Sequence, residues 1–368
     1  MNQFLTKYDA EIEVIGPVFI GNGKEITKKE YLFFDNFQKI GLLDMPRFYS
    51  FLRRKGLQNN YEAFMMNNSG TDLRRWIRDK CLRAADVKPY MKYSIDVGDV
   101  DELGGKPKAV MEFIKDPYGK PYIPGSSIKG MLRTILLAYN IAADNKKYKN
   151  NTQQLLENIE YKAERKKYLK NDAKNLESSA FYSLNRPDTK QNDAVNDILS
   201  GLIISDSDYL NVDDLVLCQK IERKPDGNEK GLPLLRECVK PGTKIKFTVT
   251  INNNLNNIRK QDILNAVENF SDCYNKYFLS NFIGMDRIMD NTVFLGGGSG
   301  FVSKTVIYPL LGKEPGIDAA VKIFKNTHVP KEHKHDKDKA MHVSPHILKV
   351  TYIEGNVKQF GECRLKIV

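Results

Sequence analysis

Residues 201–251 read "GLIISDSDYLNVDDLVLCQKIERKPDGNEKGLPLLRECVKPGTKIKFTVTI". Four β-branched, apolar runs stand here one after another, broken only by Asp, Asn, Pro and Gly. "GLIISDSDYL", "DLVLCQKIERK", "LPLLRECV" and "KIKFTVTI" are predicted to be strands of one antiparallel sheet, with "PDGNEKG" as a turn. Strands that follow one another without helices between them do not build a doubly wound parallel fold. The fold class expected is therefore α+β, with antiparallel sheets.

Working toward the N-terminus, "YDAEIEVIGPVFIGNG" alternates like a first strand and ends in a glycine turn. Residues 28–87 carry apolar residues at helical spacing and are expected to be mostly helical. Residues 88–124 look like strands and turns, and "PYIPGSSIKGMLRTILLAY" (121–139) like a helix. Residues 144–197 are polar and lysine-rich, a helical insertion with no clear strand, in which "YKAERKKYLKNDAKN" reads as a solvated helix.

Toward the C-terminus, "NNNLNN" marks a break. A helix "QDILNAVENFSDCYNKYFLS" follows, then a strand entering a glycine cluster, a loose charged loop over 325–342, and two strands, "HILKVTYIEG" and "ECRLKIV". The whole pattern fits two ferredoxin-like units, residues 1–255 with helical insertions at about 28–87 and 144–197, and residues 256–368 with the glycine cluster.

The chain has 368 residues, 41% hydrophobic and 28% charged, long enough for a sizeable core. Its 57 Lys+Arg against 46 Asp+Glu give a net charge of +11, which favours an anionic partner, nucleic acid first. The five cysteines form no CxxC pair and are odd in number, as in a reducing cytoplasm. Neither a signal core nor a stretch of about eighteen apolar residues occurs, so a cytoplasmic location and no membrane partner are expected.

Two stretches could hold a polyanion. In the first, Pro124 and Gly125 bend the chain, and Ser126 or Ser127 can cap the helix. Ile128, Leu132, Ile135, Leu136 and Tyr139 share a face to bury, while Lys129 and Arg133 share another near the positive end of the helix dipole. Cations there are unfavourable without an anion, and helix N-termini attract phosphate. Met131 and Leu132 replace the Lys and Ser/Thr of a nucleotide-binding P-loop, so nucleotide hydrolysis is not expected. The second stretch is "FLGGGSGFVSK" (294–304). Gly296, Gly297, Gly298 and Gly300 permit positive φ and an anion-binding nest, with Ser299, Ser303 and Lys304 as donors and Phe301 as a ring for a base. A capped helix with solvated cations and a tight turn are the structural alternatives.

"GKPYIPGSSIKGMLR", "GLIISDSDYL" and "GGGSGF", in this order, resemble the RAMP superfamily of CRISPR proteins, and within it the fifth, capping subunit of the Csm-type (type III-A) effector. The resemblance runs from "IEVIGPVFIGNG" to the final strands. It implies two ferredoxin-like (RRM-related) RAMP domains and a non-catalytic subunit. That subunit would bind the 3′ part of CRISPR RNA, contribute to guide length and antiviral defence, and contact the backbone and small subunits. Target RNA and host nucleases are left open as further partners. Carried over by position, Ser126, Ser127, Lys129 and Arg133 would hold RNA phosphates; Gly296, Gly297, Gly298, Ser299, Gly300 and Lys304 would form the glycine-rich contact. "GDVDELGGKPK" resembles the loop by which such subunits separate guide from target bases.

The rival reading is an RNA-processing endoribonuclease, with or without metal. Asp99, Asp101 and Glu102 could pair on Mg²⁺, though a solvated turn is the simpler reading. Asp206 and Asp208 read as Asx-type hydrogen-bonding residues at a strand end. All five histidines lie between 328 and 346, none in the first unit, and their spacing matches no standard zinc site. No catalytic residue, metal or cofactor is therefore expected. Lysines 146, 147, 149, 162, 166, 167 and 170 read as a solvated face that would widen the basic surface.

Overall fold

The structure is a computed structural model; it describes residues 4–67, 70–100, 109–161, 167–255, 257–327 and 329–368. The chain opens with β1 (Leu5–Val14), β2 (Gly21–Ile26), β3 (Tyr31–Phe34) and β4 (Lys39–Leu43). Helices α1 (Met45–Arg54), α2 (Gln58–Met66), α3 (Leu73–Asp79) and α4 (Ala84–Val87) follow. Strands β5 (Met91–Val97) and β6 (Val110–Phe113) lead into the long α5 (Gly125–Ala143). The second insertion holds α6 (Lys149–Asn158) and α7 (Lys170–Phe181). Then come β7 (Leu202–Ile204), β8 (Leu215–Arg223), β9 (Glu229–Val239), β10 (Lys244–Asn252) and α8 (Lys260–Tyr277). The last part holds β11 (Thr292–Phe294), α9 (Ile307–Leu311), α10 (Lys313–Asn326), β12 (Leu348–Ile353), β13 (Asn356–Gln359) and β14 (Glu362–Ile367).

These strands form two sheets, as the α+β, ferredoxin-like expectation requires. The smaller runs β11-β14-β1-β10-β7 and is antiparallel throughout. The larger runs β2-β6-β9-β8-β5-β4-β3, with β12 on the far half of β8 and β13 beyond it. It is mixed, because β5 lies parallel to β8 and β6 parallel to β9.

The strands of 201–251 do not form one sheet. β8 and β9 belong to the larger sheet, β7 and β10 to the smaller. The handover is the turn at Pro241–Gly242, where Gly242 has φ +86° and donates its N–H to the Val14 carbonyl at 2.8 Å. That bond delivers the chain onto β1. Both sheets take strands from either side of residue 255.

The 28–87 segment also departs from expectation, since it begins with the β3–β4 hairpin. Asp35, Asn36 and Phe37 all take positive φ in its turn, a conformation that Asp and Asn tolerate better than most residues. Helices α1–α3 then close a second hydrophobic core against this hairpin, built from Phe48, Phe51, Leu52, Tyr61, Phe64, Trp76 and Leu32. The main core lies under α5 and α8, which pack together; Ile128, Leu132 and Ile135 are fully or nearly fully buried there. Among the described residues, no helix is long and apolar enough to cross a membrane.

Candidate nucleic-acid interface

The N-terminus of α5 already carries an anion. The Gly125 N–H donates to Asp206 Oδ1 at 2.7 Å. Gly125 must be glycine here: a Cβ would lie 2.4 Å from the Ile204 carbonyl oxygen. Segment 205–208 is strapped to the helix tip by two further bonds, Ile123 N–H to Ser207 Oγ at 2.9 Å and Ser207 N–H to the Ile123 carbonyl at 2.9 Å. Neither Ser126 nor Ser127 caps the helix through its side chain, in contrast to the sequence expectation. A carboxylate from 81 residues away takes that place, which sequence-local reasoning cannot see. Asp206→Ala is expected to cost about 1–2 kcal/mol of stability through the lost cap, measured as a lower midpoint in a urea melt.

Lys129 and Arg133 differ in what they contact. Arg133 Nε donates to Glu177 at 2.8 Å and Nη1 to Asp197 at 2.6 Å, while its guanidinium lies 4.9 Å from the Phe181 ring centre. Its charge is matched inside the molecule, so it drops out of the candidate phosphate contacts. Lys129 is half-buried and in no ion pair among the described residues; burial lowers its pKa, against a weaker opposing effect of Asp197. Ser126 is exposed and Ser127 half-buried beside it.

The glycine-rich loop follows β11 and is anchored at two points. Leu295 donates to the Gly361 carbonyl at 2.8 Å, and Gly297 to the Phe19 carbonyl at 2.6 Å. Gly296, Gly298 and Gly300 take φ of +81°, +95° and +95°. The N–H groups of Gly298 and Gly300 donate to no group among the described residues. Ser299 is buried and its hydroxyl donates to the Gly296 carbonyl at 3.2 Å; the Ser303 hydroxyl donates to the Ser299 carbonyl at 2.9 Å. Both hydroxyl protons are thus used within the loop. The Phe301 ring packs on Phe324, centroids 5.0 Å apart.

Sequence reasoning missed the residue behind this loop. Arg236 on β9 lies between Phe19 and Phe360, its guanidinium 4.9 and 5.8 Å from their ring centres. Its Nη1 donates to the Gly297 carbonyl at 3.4 Å, while its buried Nε has no partner among the described residues. Lys220 on β8 stands near enough for Arg236 and Lys349 to act on it, and burial together with these two charges brings its pKa down to about 8. Lys304 is exposed; desolvation and then Arg236 lower its pKa too. Lys349 is paired with Glu222. Positive charges crowded together and partly desolvated are destabilising by themselves, and a bound anion would relieve the strain. Lys304 is legible in the loop sequence; Lys220, Arg236 and Lys349 stand on strands whose neighbours only the register reveals.

A groove of about 610 Å³ lies between α5 and the segment that follows the glycines. It is lined by Thr134 and Leu137 of α5, Leu176 and Glu177 of α7, and Phe301 and Lys304 beyond the glycines. Ser126, Ser127 and Lys129 are not in its lining. The middle of α5 therefore faces, across the groove, the residues that follow the glycines, while its tip is held against β7 and segment 205–208.

Of Asp99, Asp101 and Glu102, the carboxylates weighed for metal, Asp99 lies among the described residues. Asp99 Oδ2 accepts the Gly355 N–H at 2.6 Å and closes the β12–β13 turn. Asp101, Glu102, residues 103–108, Lys162, Lys166 and His328 lie outside the described residues. The 325–342 stretch is not a loose loop throughout: it ends α10 and continues in short 3₁₀ turns that lead to the buried Asp338, Ser344 and His346.

Three comparisons bear on the family and the fold. Residues 11–303 match the family model described as the RAMP superfamily. The chain is 29% identical over 396 residues to "CRISPR system Cms protein Csm5" of Mycobacterium tuberculosis (strain CDC 1551 / Oshkosh), covering 100% of this chain and 99% of the relative. It is 29% identical over 305 residues to the Streptococcus thermophilus protein of the same name, covering 79% and 78%. Among solved structures, a chain of "Csm-crRNA-target RNA ternary complex in type III-A CRISPR-Cas system" aligns with a TM-score of 0.65 at 19% identity, over 98% of this chain and 100% of that one. The crystal structure of T. onnurineus Csm5 aligns with a TM-score of 0.61 at 19% identity, over 96% and 99%.

Proposed function

The chain belongs to the RAMP superfamily, and from that premise we propose that it is a non-catalytic, guide-RNA-binding subunit of a type III-A effector, acting in the cytoplasm. The observation that carries this is the cluster of Lys220, Arg236 and Lys304 beside the amides of Gly298 and Gly300, which have no partner among the described residues. Backbone donors with cations close by suit a sugar-phosphate strand and read no base, as expected where base pairing supplies the sequence recognition. Gly296, Gly297 and Ser299 shape the loop, and Lys129 with Ser126 and Ser127 forms a second basic contact farther along α5.

The names of the relatives support a place in a Csm–crRNA assembly; the seat at its capped end, over the 3′ part of the guide, beside backbone and small subunits and with a share in guide length, rests on the sequence resemblance alone. Division into units at residue 255 remains part of this proposal; it separates two segments of chain, not two sheets. Co-purification from the native cell tests the assignment: guide RNA and the neighbouring subunits should come down together. Discrete cleavage of repeat RNA by the pure protein would instead favour an endoribonuclease.

The lysine cluster also sets a pH dependence. A bound phosphate raises the pKa of Lys220, so affinity is highest below about 8 and falls as pH rises through that value. Binding isotherms between pH 7 and 9 should show the step, and Lys220→Met should remove it.

A further inference from the structure

We propose that His335, Asp338 and His346 form a binding site for one divalent transition-metal ion of the zinc class. The donor set is two imidazole nitrogens and one carboxylate oxygen, all within 4.8 Å of one another. In a tetrahedral zinc site, metal–ligand bonds of about 2.0–2.2 Å put neighbouring ligand atoms about 3.4 Å apart, so small side-chain movements close this cluster on an ion. Asp338 is fully buried, His346 3% and His335 12% exposed at the side chain. Both imidazoles turn Nδ1 toward the same carboxylate, His335 at 3.1 Å from Oδ2 and His346 on Oδ1.

The surroundings hold the three groups in place as the outer shell of a metal site does. Ser344 Oγ donates to Asp338 Oδ2 at 2.6 Å. Ser344 is itself held by Tyr308 of α9, whose hydroxyl donates to the Ser344 carbonyl at 2.7 Å and accepts the Ser344 N–H at 3.0 Å. The His335 ring packs on Phe324 of α10, centroids 4.3 Å apart, with His333 parallel to it at 5.9 Å. Two nitrogen donors disfavour Mg²⁺ and Ca²⁺ and favour Zn²⁺, Co²⁺ or Ni²⁺. The partly exposed His335 marks the side on which water completes the coordination. The ion would tie the two ends of the 335–346 segment together, which Tyr308 of α9 and Phe324 of α10 hold from outside. Spacing alone does not show this cluster, because its members come from a short 3₁₀ turn and a strand approach that no standard motif describes.

The test uses the full chain, purified without a histidine tag, stripped with chelator, loaded with Zn²⁺ and dialysed. Metal analysis should give about one equivalent of zinc per chain, and chelator should lower the melting temperature while zinc restores it. His335→Gln, whose side chain is partly exposed, should hold less than about a fifth of an equivalent and melt at the same temperature with or without chelator. Ser344→Ala should bind zinc about tenfold more weakly. Less than about a fifth of an equivalent on the wild-type chain, or a full equivalent on the His335→Gln variant, would overturn the proposal. The wild-type measurement decides even where a variant fails to fold.

Discussion

Gly298→Val is expected to weaken guide-RNA binding at least about tenfold while both sheets stay folded. The loop residue takes φ +95°, and a Cβ there would sit 2.2 Å from Arg236 Nη1. A β-branched side chain adds to a backbone strain of about 1–2 kcal/mol the displacement of a guanidinium held between Phe19 and Phe360. Loop and cation cannot both keep their places. Anisotropy titrations with labelled single-stranded guide RNA read the loss, and circular dichroism checks the fold. Gly242→Ala is the control: it has φ +86° but nothing within 4 Å of the added carbon. It should lose stability alone and bind RNA normally. Normal binding by the Gly298→Val variant would reduce the loop to a turn.

Arg133→Ala should destabilise the protein by about 2–4 kcal/mol, because it strands two carboxylates. The Asp197 side chain is only 16% exposed and that of Glu177 37%, and the cation also covers Phe181. Arg133→Lys should not restore the loss, since an ammonium cannot span both carboxylates as the guanidinium does. Lys129→Ala, by contrast, should leave the melting curve within about 0.5 kcal/mol and weaken RNA binding modestly. Urea melts of the three variants separate these outcomes. If the Arg133→Ala variant melts normally, the two ion pairs are not structural and the arginine returns to the candidate RNA contacts.

How far the chain could be read follows from where each signal lies. α5 was legible because Ile128, Leu132 and Ile135 repeat at helical spacing and Pro124–Gly125 marks its start. The β3–β4 hairpin was not, because "YLFFDNFQKIGLL" is apolar enough to pass for one side of a helix and its turn lacks glycine. The assignment of β8 and β9 to one sheet and β10 to another depends on β1, more than two hundred residues earlier in the chain. At the candidate site the same contrast holds. The glycine cluster announces itself by composition. The Asp206 cap and the place of Arg236 behind Gly297 depend on long-range pairing and are silent in the sequence. Lys129 and Arg133 look alike on a helical wheel, and only the positions of α7 and Asp197 distinguish them.

Lys220 brings stability and binding into opposition. Removing a half-buried cation crowded by Arg236 and Lys349 should stabilise the folded chain by about 1–3 kcal/mol. The same change should cost RNA affinity, as is common where a site is built for its ligand.

The central claim is that the cations beside the glycine-rich loop hold the guide's phosphates. Its most direct test is the salt dependence of guide-RNA affinity for wild type and the Lys220→Met, Lys304→Met double variant, both verified as folded. For a single strand each lost phosphate contact lowers the slope of log K against log salt by about 0.7, so a decrease of about 1.4 is expected, equal for unrelated sequences. An unchanged slope with unchanged affinity would place the RNA elsewhere on the molecule and contradict the account.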